Sequence, residues 1–418
     1  MNKLTKNNLT IANRITSILF ASKTLHSTAL VGLLTVTPII AVRLTGSDLS
    51  VGLPATLVLV GRAIAGYPMG WLMDILGRRK GLNIGLLISM TGMALGALGA
   101  IQSNLLIFLS GSFVLGMSKS AIEQMRFIAA EVQPIGKRAQ AIGLIAFSST
   151  VGSLLGSVLM DSSPDMTRML GIPILVIPFF LGIALMVMAM IINHLGLRPD
   201  PSSLHLDDLQ ENEDGTDYRN LNRSMLQIFS TKEVVLACSV MAISWLGMTV
   251  VMQVTPLFMS YEGYDVPTIS RAVMIHSLGM FVLSSFTGWL TSVMGRYPVV
   301  GMGIVLLAIS GVLGCYANTL YRLYVAVFLL GVGWNFCYIA GSAMLSDELQ
   351  VKERGRAQGI SEAIIGITAA LGSVSSGLLF STYGYFGSNL LVIIFSFFMV
   401  ILFIILRRSK DFYQPSDT

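Results

Sequence analysis

The run Leu390-Leu391-Val392-Ile393-Ile394-Phe395-Ser396-Phe397-Phe398-Met399-Val400-Ile401-Leu402-Phe403-Ile404-Ile405-Leu406 contains no charge and no alternation of apolar with polar residues. Leu175 to Ile192 reads the same way. A membrane β-strand would alternate over about 10 residues, so these runs indicate helices. Crossing about 30 Å of hydrocarbon takes roughly 20 apolar residues. The chain is 418 residues long, 54% hydrophobic and only 12% charged, against about 25% charged in an ordinary soluble domain. A soluble globular enzyme is thereby excluded, and an all-α integral membrane protein is expected.

Working outward from these runs, hydropathy places twelve spans near 16–42, 49–73, 81–101, 105–130, 139–160, 170–194, 233–259, 268–291, 298–317, 321–346, 357–381 and 387–406. The one long interruption, 193–231, holds Pro199, Pro201 and the acids Asp207, Asp208, Glu211, Glu213, Asp214 and Asp217, too polar to pack. It reads as a linker, giving an N-terminal six-helix half (1–192), a cytoplasmic linker (193–231) and a C-terminal six-helix half (232–418). Lys3, Lys6 and Arg14 precede the first apolar stretch without a convincing cleavage site, so a retained first span is expected.

The net charge of +5 comes from bases scattered in short clusters between spans. Scattered bases are topology signals rather than a nucleic-acid surface. With both termini in the cytoplasm, the opposite side keeps only Arg43, Arg168, Arg271 and Arg322, the asymmetry expected of a multi-pass protein of the cell (plasma or inner) membrane. Cys238, Cys315 and Cys337 fall inside predicted spans with no metal-ligand spacing and read as small hydrophobes.

The halves repeat each other. At one fixed offset Thr37-Pro38 matches Thr255-Pro256, Gly61 matches Gly279, Gly70-Trp71-Leu72 matches Gly288-Trp289-Leu290, and Gly77-Arg78 matches Gly295-Arg296. Two parallel repeats imply a pseudo-two-fold axis along the membrane normal and a site near the midplane. Gly92-x-x-x-Gly96 and Gly152-x-x-x-Gly156 allow close helix contact, while Pro38, Pro68 and Pro256 interrupt spans one, two and seven.

The turn Gly70-Trp71-Leu72-Met73-Asp74-Ile75-Leu76-Gly77-Arg78-Arg79 resembles the signature loop of the major facilitator superfamily, with a weaker copy at Gly288 to Arg296. With the twelve spans and the central loop, the resemblance covers nearly the whole chain. It implies two six-helix halves that rock by alternating access. It also implies a gating motif of Gly70, Asp74, Gly77, Arg78 and Arg79, with Glu131, Arg138 and the start of span eleven near Gly355 as partners. Ile75 departs from the family, which often has a base there. Two motifs usual in drug and proton antiporters are not kept, since Ser112 stands for an Arg and Gly152-Ser153 for Gly-Pro. Superfamily members usually work as monomers, so a monomer is expected.

A charge at membrane depth costs at least about 2.5 to 3.5 kcal/mol on insertion scales. Predicted spans three, six, nine and twelve have uncharged interiors, whereas spans one, two and four carry Lys23, Arg62, Lys119, Glu123 and Arg126. On an uninterrupted helix Lys119, Glu123 and Arg126 share one stripe, with Glu123 between two cations. The bland reading is a neutralising ladder for packing; the sharper one is contact with substrate or proton. The cations outnumber the lone Glu123 of that half, which favours a substrate with a carboxylate or phosphate. Lys23 could instead snorkel, and Arg62 could bond backbone carbonyls. An arriving anion would take cations from Glu123 and let it accept a proton, coupling the two.

The second half offers Gln253, His276, Trp334, Asn335, Tyr338 and Glu362 at membrane depth. An aromatic pair four apart is as compatible with packing as with a site, and His276 with a bonded interior residue as with a proton relay. Phosphate-loop, zinc-protease and nucleophile-elbow motifs are missing, so no enzyme, metal or cofactor is expected. The expected partners are a small-molecule substrate, a proton or other coupling ion, and the bilayer. The leading expectation is secondary active transport of a small organic solute, anionic and proton-coupled. Efflux of drugs or amphipathic compounds by proton antiport is the alternative, favoured by the aromatic face and 24 Met residues. A non-transporting receptor is the distant third.

Overall fold

The computed structural model describes residues 3–46, 50, 52–161, 167–169, 171–203, 223–264, 266–350 and 353–411. The acidic stretch of the linker lies outside them. Every regular element among the described residues is helical, and nine helices there are long and apolar enough to cross a membrane. This is the all-helical membrane class expected from the apolar runs.

The chain divides into two compact units, Met1–Leu221 with Gln350–Ile367, and Asn222–Leu349 with Thr368–Thr418. In the first, α1 (Lys3–Thr45) packs against α6 (Arg138–Asp161) and α7 (Ile177–Gly196). α2 (Leu53–Leu76) and α3 (Arg78–Ile101) both lie along α4 (Leu105–Glu123), which α5 (Met125–Glu131) follows. Small residues set these distances. A Cβ on Gly61 would overlap the Phe113 carbonyl and one on Gly116 the Val58 carbonyl, so α2 and α4 meet backbone to backbone. Gly152 and Gly156 seat α6 against Thr24, Ser27, Thr28 and Val31 of α1, as the spacing of that pair suggests.

In the second unit α8 (Lys232–Tyr261), α9 (Val266–Phe281), α10 (Ser284–Met294) and α11 (Arg296–Cys315) pack on α12 (Leu320–Glu348). The last helical stretch, α13 (Arg354–Asp411), is two helices joined at Gly384, whose φ of 62° is left-handed and open to glycine without strain. The start of α13, through Ile367 and so about four turns, belongs to the first unit. Pro68 and Pro256 sit inside α2 and α8 without ending them.

Candidate functional site: an ionic cluster in the first unit

The helix through span four is interrupted. α4 ends at Glu123, Gln124 makes the break, and α5 starts at Met125. Gln124 is wholly buried and its side-chain amide has no hydrogen-bond partner among the described residues. Gln124 keeps helical angles, φ −70° and ψ −13°, so Glu123 and Arg126 stay one turn apart on a common face, while Lys119 pairs with neither among the described residues. Glu123 instead receives Lys23 Nζ of α1 at 2.7 Å, with Arg126 Nη1 at 3.8 Å. Lys119 takes part in no hydrogen bond or ion pair among the described residues, although it is within electrostatic reach of Arg62, Glu123, Lys23 and Glu362. It is therefore not the neighbour that neutralises Glu123.

Arg126 Nη2 reaches Glu362 Oε1 at 2.5 Å, and its Nη1 donates to the Glu123 carbonyl at 3.2 Å. The other Glu362 oxygen accepts from Arg62 Nη2 at 2.6 Å and Nε at 3.2 Å. The result is an alternating chain, Lys23–Glu123–Arg126–Glu362–Arg62, drawn from α1, α4, α5, α13 and α2 with Lys119 beside it. Two expectations are corrected. Arg62 bonds a carboxylate besides whatever backbone it touches, and Glu362, read as lining of the second half, supplies a second acid to the cluster. Four cations still face two anions. Exposure grades along the chain, since the Glu362 side chain is 0% exposed, Arg62 1% and Glu123 19%. The sequence reading missed His26, three residues after Lys23 and 1% exposed, with Nδ1 unpartnered. A histidine one helical turn from a membrane-depth lysine was the available signal.

The signature turn forms a second, connected network. Asp74 accepts the backbone N–H groups of Gly355 and Arg356, each at 2.9 Å, so a carboxylate caps the N-terminus of α13 where the helix dipole favours it. Burial pushes the Asp74 carboxyl above the usual carboxylate range, while Arg78 and the two N–H donors oppose that shift. Arg78 binds Glu131 through Nε at 3.0 Å and Nη2 at 3.1 Å and reaches Asp74 at 3.2 Å. Gln358 donates to Glu131 at 3.1 Å, and Arg138 is buried at the start of α6. A Cβ on Gly70 would overlap the Gly355 carbonyl, which explains the glycine there.

Asp200, just past α7, was not singled out by the sequence reading. Its two carboxylate oxygens accept the N–H groups of Arg78 and Arg79, each at 3.1 Å, and so cap α3. Gly77, at φ 88°, allows the turn, and a side chain there would collide with the Asp200 carboxylate. An aspartate between two prolines carries no local mark of a cap for a helix more than a hundred residues upstream.

In the second unit the expected polar lining is differently employed. Asn335 donates to the Met280 carbonyl at 2.6 Å and Ser284 Oγ at 2.7 Å and accepts from Thr287 at 2.6 Å, which splints the break between α9 and α10. His276 donates Nδ1–H to the Val327 carbonyl at 2.9 Å and is 4% exposed. Trp334 stacks on Tyr338 with centroids 4.6 Å apart and meets Trp245 edge-on at 5.1 Å. Trp245 also escaped the sequence reading, although it lies eight residues before Gln253 and so near one face of α8. Gln253 is exposed.

Bundled apolar helices, nine of them among the described residues long enough to cross a membrane, together with a glycine-pinned turn capping helix ends, fit a multi-pass membrane protein. The major facilitator superfamily model matches residues 19–270 and 237–417, and the chain belongs to that superfamily of transporters. It is 28% identical over 373 residues to the MFS-type transporter YdeG of Bacillus subtilis (strain 168), spanning 88% of this chain and 85% of that one. It is 27% identical over 354 residues to the riboflavin transporter RfnT of Brucella anthropi, spanning 84% and 85%. Among solved structures, the proton:xylose symporter XylE superposes with TM-score 0.76 at 15% identity, covering 94% of this chain and 96% of that one. The human organic anion transporter MFSD10 gives 0.75 at 15%, covering 94% and 99%. These two share the fold.

Proposed function

We propose that this chain is a secondary active transporter that moves a small organic anion by alternating access, coupled to protons through Glu123. In this reading twelve spans form two six-helix halves, both termini are cytoplasmic, and the network of Asp74, Arg78, Glu131 and Gly355 is the gate. The observation that carries the reading is the excess of cations in the cluster. Lys23, Arg62, Lys119 and Arg126 face only Glu123 and Glu362, and Lys119 lacks an ion-pair partner among the described residues. Unpaired charge in a low-dielectric interior is costly, and an anion entering beside Lys119 relieves the cost. An anion that also engages Lys23 or Arg126 leaves Glu123 desolvated without its partners, a state that takes up a proton.

Thermal unfolding of the purified protein against matched panels of organic anions and lipophilic cations, at two pH values, tests this. A ligand raises the midpoint by mass action. Stabilisation by anions supports the reading, and stabilisation by lipophilic cations or neutral ring compounds alone contradicts it. The second reading, carriage of an amphipathic or ring-bearing compound with efflux as its direction, is favoured by the Trp245–Trp334–Tyr338 cluster. The relative RfnT, named for a ring-bearing vitamin, adds to it.

A further inference from the structure

The tightest group in the cluster is Glu362, wholly buried, with each oxygen on a different arginine. Fork-like pairing of carboxylate with guanidinium is the geometry by which proteins also take up external carboxylates and phosphates. Two arginines from α2 and α5 therefore form a built anion site, filled by a side chain of α13. Seven residues before Glu362, on the same helix and two turns away, Gly355 is tied to Asp74. The start of α13 thus has two holds on the first unit, one at its N-terminus and one at Glu362.

We infer that Glu362 is an internal stand-in for the substrate anion, so that a carboxylate or phosphate arriving at Arg62 and Arg126 displaces it and releases the deeper of the two holds on α13. The inference rests on the anion reading above. Its physical content is competition. While Glu362 holds Arg62 Nε and Nη2 and Arg126 Nη2, those donors give little to a second anion, and the displaced carboxylate must find water or a proton. Lys119, without an ion pair among the described residues and within electrostatic reach of Arg62, is the group on which the incoming anion can first settle. The charge then transfers to the arginines as Glu362 leaves. Arg62 and Arg126 are matched by Glu362 in the empty carrier and by the incoming anion in the loaded one, and the state in between is the costly one, which ties movement of α13 to occupancy.

The test uses the full-length protein in detergent. Glu362→Ala should lower the unfolding midpoint, because Arg62 and Arg126 lose their buried partner. Acetate should restore it in a concentration-dependent way, where chloride at equal ionic strength does not. Asp74→Ala, which breaks the other hold, should show no acetate-specific rescue. If Glu362→Ala does not survive purification, Glu362→Gln serves, since it keeps the shape and removes the charge. In that variant the organic anion that best stabilises the native protein should bind about tenfold tighter, its competitor having been removed. Unchanged or weaker binding, or equal rescue by acetate and chloride, overturns the inference. The outcomes separate the two ideas. Stabilisation of the native protein by an anion, without tighter binding in Glu362→Gln, leaves the anion reading standing and removes only the stand-in. Acetate rescue in a protein that no organic anion stabilises removes the anion reading and the stand-in role together.

Discussion

The two copies of the signature turn share a backbone and an opening arginine and differ in how their side chains are paired and buried. Gly77 stands at φ 88°, ψ 162° and Gly295 at φ 89°, ψ 170°, and each opens a helix whose first residue is an arginine. Arg78 then makes a two-pronged pair with Glu131, their side chains 4% and 5% exposed. Arg296 reaches Asp347 at 2.8 Å in a more open setting, at 18% and 21%. The first copy has Asp74 capping α13 and Asp200 capping α3; Ser292 stands where Asp74 would be, and its hydroxyl bonds the Gly288 carbonyl of its own helix. The interiors diverge in the same sense. Behind the first turn lies an ionic chain, whereas behind the second Asn335 splints a helix break and three aromatic rings cluster, Trp334 stacked on Tyr338 with Trp245 edge-on. A duplicated frame thus keeps its glycines, which backbone geometry demands, while its side chains separate into a charged half and a neutral one.

If the charged half carries coupling, the largest effect belongs to Glu123→Gln. Proton-driven accumulation in proteoliposomes should vanish while exchange of labelled for unlabelled substrate persists. Retained pH dependence of accumulation would move coupling elsewhere. Next comes the contrast of the two turn arginines. Arg78→Ala leaves Glu131 buried without its forked partner and should cost about 3–5 kcal/mol, whereas Arg296→Ala removes a half-open pair worth about 0–1 kcal/mol. Paired denaturation curves read both, and equal losses would break the comparison. Asp200→Ala, the loss of a cap from α3, should cost about 0.5–2 kcal/mol, with Asp200→Asn recovering part of it. Smallest is Trp334→Phe, which should leave anion affinity within about twofold, since a ring that only packs loses little in a conservative swap. A large loss there would shift substrate binding toward the aromatic half.

The fold was legible because it follows from quantities that are local in sequence. Apolar runs such as 390–406 fix helices by length alone, and glycines such as Gly70 and Gly152 mark close approaches regardless of the partner. The class of site was legible too, since Arg62 and Glu123 are expensive wherever they lie at membrane depth. Pairing was not. Periodicity placed Lys119 and Arg126 on one stripe with Glu123, but it could not say that Lys23 takes Glu123 or that Arg126 also reaches Glu362. Asp200 and Lys23 act on elements far away along the chain, and spacing carries no information about such partners. Asn335 looked like lining because an amide in a membrane helix invites that reading, whereas a broken neighbouring helix had already claimed its hydrogen bonds.

Titration calorimetry of one stabilising organic anion against the native protein and Lys119→Ala tests the central claim most directly. Lys119 supports no ion pair among the described residues, so its removal should leave folding intact and weaken the anion by tenfold or more, about 1.4 kcal/mol. Equal affinity in the two proteins would contradict the assignment of the ionic cluster as the place where this transporter holds its substrate.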